Sequence, residues 1–383
     1  MTISNRPRDY AWGSTTLLAD LEGRRPSGTP EAEVWFGDHP GSPSRVDGGD
    51  DTLDRVRAQA GRPPLPFLVK LLAAGAPLSI QAHPSRAQAE RGCAREDAAG
   101  IPRDAPERTY RDANHKPELI VAVSESFQAL AGLRPLARTR RLLDGLGDAP
   151  GVRALAARLQ GPDEATALRD TVRWLLSGRA QGEVAEIIAA VGRAAGGEFS
   201  AELTALGAIA RAYPRDPGVV VALLMNLVRL RRGEALFVAA GVLHAYVAGL
   251  GVEVMAASDN VLRGGLTPKH IDVAELLSIV DTAPADPPVL VPRTAGADSV
   301  YDPGVPDFLV TRLAIDGDAR DVALRGAAIA VVTAGEVTVA AGGVERVLRP
   351  GCAVYADAED RIRVGGRGEV FLVGEGSAAV AET

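Results

Sequence analysis

Cysteine is scarce: only Cys93 and Cys352 occur in 383 residues. They lie far apart and in no ligand-like spacing, which excludes a disulfide framework and a thiolate metal site and points to a reducing compartment. An excess of positive charge is also missing, since 42 Lys and Arg against 49 Asp and Glu give a formal net charge of −7. Without a broad positive field the chain is unsuited to nucleic acid or an anionic membrane surface, although a few local cations suffice for a small anionic substrate. Residues 1–8 contain no apolar stretch of the secretory kind. Long unbroken apolar runs are lacking too. The most apolar window, Ala235 to Ser258, holds His244 and Glu253 and is interrupted by Gly241, Gly249 and Gly251, so it reads as buried strands rather than a membrane span. A cytoplasmic protein is expected.

The composition that remains, 46% apolar and 24% charged, is that of a globular chain, and its length predicts two or three domains. Up to about residue 133, short apolar runs such as Pro66 to Leu72 and Leu119 to Val123 are separated by Pro and Gly clusters, the pattern of strands in a sandwich or barrel. The period then changes. Leu168, Val172 and Leu175 fall at i, i+4 and i+7, and Val184, Ile187, Ile188 and Val191 at i, i+3, i+4 and i+7, which predicts helices across 134–230. Asp216-Pro217 supplies a cap and first-turn proline ahead of the run Val219 to Met225. Strand character returns at Glu234 to Met255, so the first sheet domain is expected to be discontinuous, 1–133 plus 231–285, with the helices inserted. A proline-rich connector (Pro284, Pro287, Pro288, Pro292) leads into a β domain at 286–383. His270 is the last histidine, so that domain has no imidazole for a metal and reads as structural or as a lid.

Gln81 and His83 stand two apart in an extended stretch, which puts both side chains on one face of a strand. Glu118 and His244 lie in two further segments at strand borders. Two imidazoles, a carboxylate and a carboxamide form a mixed nitrogen and oxygen set that suits Zn²⁺, although each residue also has an ordinary structural role open to it. His115 and Lys116, just before Glu118, would stand near such an ion. Arg263, before the loop Gly264 to Lys269, could grip a phosphate or a developing oxyanion with its planar donor fork. Trp12, Trp35 and His39 could line a sugar pocket, although two tryptophans in a sandwich are more often core.

At these residues the chain resembles the type I mannose-6-phosphate isomerases (phosphomannose isomerases), zinc enzymes of the cupin fold. The resemblance runs through Tyr10 to Gly13, Ala32 to Pro40, Pro66 to Lys70, Pro77 to Pro84, Asn114 to Leu119, Gly241 to Tyr246 and Val252 to Lys269. It implies a mainly β fold of two cupin (jelly-roll) β-sandwich domains plus a helical domain, and one Zn²⁺ per chain on Gln81, His83, Glu118 and His244. It also implies an active-site role for Arg263 and a sugar-phosphate pocket at Ser79, Lys116, Glu253, Asp259 and Lys269. The departures are Asp38 where the family has a small residue, Gly264 for a common Ala, and a compact helical insertion.

The activity so implied interconverts mannose 6-phosphate and fructose 6-phosphate through an enediol. Arg263 cannot be the base, because its guanidinium keeps its proton. Lys116 is expected to move the proton, since an amine buried beside a cation titrates nearer neutrality, with His115 aiding ring opening and Asp259 competing for either task. Two other readings stay open from the residues alone: an Fe(II) oxygenase using His83, Glu118 and His244, and a non-catalytic sugar-binding cupin. No nucleic-acid, membrane or subunit partner is expected, so the chain is taken as a monomer acting on a small sugar phosphate.

Overall fold

The computed structural model of the chain describes residues 1–357 and 360–376; residues 377–383 of the expected C-terminal unit, like 358 and 359, lie outside the described residues. One long strand, His244–Ala256, organises the first half of the molecule because it belongs to two sheets. Its first half pairs with Phe127–Leu133 and, at His244, with Ile80–Ala82; its second half pairs with Phe67–Ala74 and Glu118–Ala122. A bulge between Tyr246 and Ala248, followed by Gly249 at φ +121°, bends the strand between the sheets. A side chain at 249 would also come within 2.8 Å of the Ser126 carbonyl, so only glycine serves there.

Alternation along the strands then sorts the residues into layers. Leu72, Ile120 and Leu236 from one sheet meet Phe127, Val228 and Tyr246 from the other in the sandwich interior. On the outer face of the first of these sheets, Val69, Leu71, Leu119, Val121, Val252 and Val254 pack against Ile329, Val331, Tyr355 and Phe371 of the C-terminal sheet. Beneath the second, Ile80, Ala82, Leu130, Ala245 and Val247 pack against the helices through Leu142, Leu155, Val172, Ile187 and Val219. The order is therefore helices, sheet, sheet, C-terminal sheet. This mainly antiparallel architecture with an added helical layer is the expected cupin type.

The helices follow their predicted faces. In Glu164–Leu176, Leu168, Val172 and Leu175 are buried and Asp163 caps the first turn through the Thr166 N–H; in Gln181–Arg193, Val184, Ile187 and Val191 are buried. Burying each such side chain contributes about 1.5–3 kcal/mol, more than helix propensity supplies. Three details differ from expectation. The inserted helices end with Gly218–Leu224, and Met225–Leu230 is a strand of the sandwich paired with Phe127–Leu133, so the helical stretch stops short of 230. Arg86–Ala98 is a helix opened by a capping box of Ser85 and Gln88. Thr2–Ser4 crosses to the C-terminal sheet, with Ile3 opposite Ala353, so the N-terminal residues do not stay with the first sandwich. Among the described residues no helix is long and apolar enough to cross a membrane, and Ala235 to Ser258 forms strands as expected.

Candidate metal centre and active site

The inner faces of the two sheets carry polar side chains at one end of the sandwich. Across three neighbouring strands, Arg263, Gln81 and His244 are register partners, so one row points the same way. On the facing sheet, Trp35, Lys70 and Glu253 form a second row, and Glu118 lies opposite Met255 on the adjoining strand. His83, just beyond Ile80–Ala82, completes the set. His83 Nε2 is 3.1 Å from one Glu118 oxygen and His244 Nε2 is 3.3 Å from the other, with all three side chains buried. One donor atom from each residue lies within 4.8 Å of the others.

Hydrogen bonding fixes the tautomers. His83 Nδ1 lies 2.8 Å from the Asn260 carbonyl and His244 Nδ1 lies 3.1 Å from the Val242 carbonyl. A carbonyl only accepts, so both Nδ1 atoms carry hydrogen and each ring turns its other nitrogen, Nε2, toward the Glu118 carboxylate. Burial lowers the His83 imidazole to about 4, against the pull of Glu118 and with help from Lys116, so it is neutral at pH 7. Burial favours the acid form of Glu118, but Lys116 and His83 hold the carboxyl well below the usual range. The neutral His83 thus turns a lone pair toward a carboxylate with no proton between them, and among the described residues His83 Nε2 has no hydrogen-bond partner. A divalent cation satisfies that arrangement. Gln81 donates its amide to Ser79 Oγ at 3.1 Å, which leaves its oxygen as the atom available to a cation.

Around this cluster lies a cavity of about 590 Å³, lined among others by Trp12, Ser79, Lys116, Glu253, Asp259, Arg263 and Lys269. The size is that of a small-molecule site. Lys116 Nζ stands 3.0 Å from Glu118, both buried. Glu253 is 2.8 Å from Lys70, which also lies 3.6 Å from Glu33. Burial raises the Glu253 carboxyl, with Lys70 opposing and Glu118 and Glu33 reinforcing. Burial and the nearby Arg111 lower the Arg263 guanidinium; burial, Arg263 and Arg111 lower Lys269, and no acid among the described residues offsets either.

His115 is placed elsewhere. Lys116 and Glu118, two apart, face inward, so His115 alternates outward and its Nε2 meets Asp307 at 2.7 Å; it does not line the cavity. Of the expected sugar-pocket residues Trp12 and Trp35 line the cavity, whereas His39 packs edge-on against Trp35 and approaches Asp259 at 3.5 Å. Sequence reasoning passed over Lys70, Glu33 and Tyr246. The signal was present: Lys70 interrupts an otherwise apolar strand, and Tyr246 lies two residues from His244 and so shares its face.

The sequence profile described as phosphomannose isomerase type I, catalytic domain, matches residues 1–136. Mannose-6-phosphate isomerase of Escherichia coli (strain K12) is 37% identical across 97% of this chain and 98% of that protein. The chain belongs to the mannose-6-phosphate isomerase family. The relative from Bos taurus is 32% identical over 86% of both chains. A solved structure of the Salmonella typhimurium enzyme bound to fructose 6-phosphate and zinc superposes with a TM-score of 0.87, at 34% identity over 98% of this chain and 99% of that one. Two departures from the family pattern now have a structural account. Asp38 accepts from Arg57 Nε and the Leu65 N–H, both at 2.9 Å, outside the cavity lining. A side chain at Gly264 would press within 3.2 Å of Ile80, so glycine relieves a tight contact.

Proposed function

We propose that this chain is a zinc-dependent aldose–ketose isomerase that interconverts mannose 6-phosphate and fructose 6-phosphate by moving a proton between C1 and C2 through an enediol. The observation that carries the reading is one cavity lined by Gln81, Glu118 and His244, with His83 buried behind them in the same cluster, and by two cations, Arg263 and Lys269, with no acidic partner among the described residues. Arg263, half-buried without a counter-ion, awaits an anion, and the exposed Lys269 adds a second positive charge to the same lining. Gln81, His83, Glu118 and His244 would hold the ion. When bound, zinc supplies Lewis-acid stabilisation of charge on the sugar oxygens.

The protein groups divide the remaining work. Lys116, beside Glu118, is the amine we assign to proton transfer. Asp259, on the cavity wall, takes the ring-opening proton in place of His115, whose ring is engaged by Asp307. Arg263 neighbours Gln81 in register and faces the developing oxyanion, while Lys269, farther along the loop, clamps the phosphate. Ser79 orients Gln81, Glu253 fixes Lys70, and Trp12 offers an apolar face to the sugar. An Fe(II) oxygenase would leave Gln81 and both cations unexplained, and a mere sugar binder would leave Lys116 so. With both cysteines unpaired, the cytoplasm is the proposed place of action, as a monomer.

The test is a coupled assay of mannose 6-phosphate conversion with free mannose as control. Turnover of the phosphorylated sugar at a kcat/KM at least ~10²-fold above that of mannose is expected, from the loss of paired charge in the control. No fructose 6-phosphate formed by zinc-loaded protein would overturn the reading.

A further inference from the structure

We infer that Asp112 and Asn260 form a reciprocal clasp that positions the catalytic groups without touching substrate. The inference rests on the function proposed above. Asn260 is fully buried. Its carboxamide oxygen accepts from the backbone N–H groups of Arg111 at 2.8 Å and Asp112 at 3.2 Å, and its amide donates to the carbonyls of Asp112 at 2.8 Å and Asn114 at 2.9 Å. Asp112 returns the arrangement. One of its carboxylate oxygens accepts from the Ser258 hydroxyl at 2.9 Å and the Asn114 N–H at 2.8 Å; the other accepts from the Asp259 N–H at 2.7 Å. The two side chains also meet directly, Asn260 Nδ2 donating to an Asp112 carboxylate oxygen at 3.2 Å, and Asn114 adds a bond to the Ala257 carbonyl at 3.1 Å.

Three parts of the site hang on this joint. Residues 111–114 run directly into Lys116 and Glu118. Residues 258–260 carry Asp259 and run into Arg263. The Asn260 carbonyl, held in place by its own side chain's bonds, accepts the His83 Nδ1–H that turns Nε2 toward Glu118. Neither Asp112 nor Asn260 lines the cavity, so their action is through these neighbours. The two segments are about 150 residues apart in sequence, as the Arg111 to Asn260 separation of 149 shows, and no regular strand pairing joins them. The side chains do what a sheet ladder does elsewhere in the sandwich.

Isosteric exchange distinguishes this role from bulk packing. Asn260→Asp turns two donors into lone pairs facing the Asp112 and Asn114 carbonyls; Asp112→Asn removes a charge and sets an amide against N–H and O–H donors. Purified, zinc-loaded D112N, N260D and the double variant are compared with wild type in three measurements: kcat and KM on mannose 6-phosphate, zinc release to a chelator well below the melting temperature, and Tm. Misplacement of supporting groups predicts kcat lowered ~10–100-fold with KM within about threefold, and zinc release ~10-fold faster. Because either single change opens the same clasp, the double variant is expected to be no worse than the weaker single one. Turnover and zinc release within twofold of wild type in D112N, a fall in Tm alone, or effects that multiply in the double variant would overturn the inference. If N260D does not fold, D112N and Ser258→Ala carry the test, and near-normal kcat and zinc release in both would overturn it equally. Wild-type protein inactive on mannose 6-phosphate would instead overturn the functional reading, with zinc release still reporting on the clasp.

Discussion

Glu118→Gln separates a metal-binding carboxylate from a merely structural one. In the metal-free protein Glu118 lies 3.1 Å from His83 Nε2, 3.3 Å from His244 Nε2 and 3.0 Å from Lys116. A glutamine keeps the shape and donates to one imidazole, but it takes the charged partner from the buried Lys116, so the metal-free protein is expected to lose about 3–5 kcal/mol. Zinc binding should suffer far more. An apparent binding energy of about 10–16 kcal/mol spread over four ligands is ~2.5–4 kcal/mol each, or about 10²–10³ in affinity. At zinc one hundredfold above the wild-type Kd, binding adds ~2.7 kcal/mol to wild-type stability, whereas in E118Q the same zinc adds less than ~0.5 kcal/mol. Thermal melts with and without zinc, together with chelator competition, measure both quantities. Retention of the zinc-dependent rise in Tm would refute the reasoning, because it would make Glu118 chiefly the partner of a buried lysine.

Lys116→Ala should lower kcat by ~10²–10⁴ while zinc content stays at wild-type level; near-normal turnover removes the assignment of proton transfer. Lys269→Ala should raise KM for mannose 6-phosphate ~10-fold with little change in kcat and a weaker salt dependence, and Arg263→Lys, which loses the planar fork, should instead lower kcat ~10²-fold; kinetics at two ionic strengths distinguish the two. Burial holds the folded His83 imidazole at about 4. Between that value and the usual ~6.5 the unfolded chain binds a proton the folded chain does not, so metal-free stability is complete above about pH 6.5 and declines toward pH 4, by ~3 kcal/mol at most. Melting of chelated wild type and His83→Asn across this range checks it; parallel curves contradict it.

How much of this was legible in the chain depends on which contacts are local. Gln81 and His83 could be placed on one face because strand alternation is a nearest-neighbour property, and Leu168, Val172 and Leu175 announced their helix for the same reason. The switch from helix to strand at Met225 was hidden because the apolar run Val219 to Met225 carries straight across the boundary, and a continuous run has no period to change. Thr2–Ser4 is too short to name its partner; which sheet edge it joins is decided by residues some 350 positions away, as Ile3 opposite Ala353 illustrates. His115 looked catalytic from its place beside Lys116. Its direction followed from alternation, but its partner Asp307, 192 residues on, could not be read from spacing. The Ser85 and Gln88 capping box was a readable helix start inside a region otherwise dominated by strand signals.

The central claim is that Gln81, His83, Glu118 and His244 close on one zinc that mannose 6-phosphate isomerisation requires. Titrating zinc into chelated protein, with bound metal and fructose 6-phosphate formation measured on the same samples, tests it most directly. The account predicts that activity and bound zinc rise together and level off at one ion per chain. Full activity in zinc-free protein, or none at one zinc per chain, would contradict it.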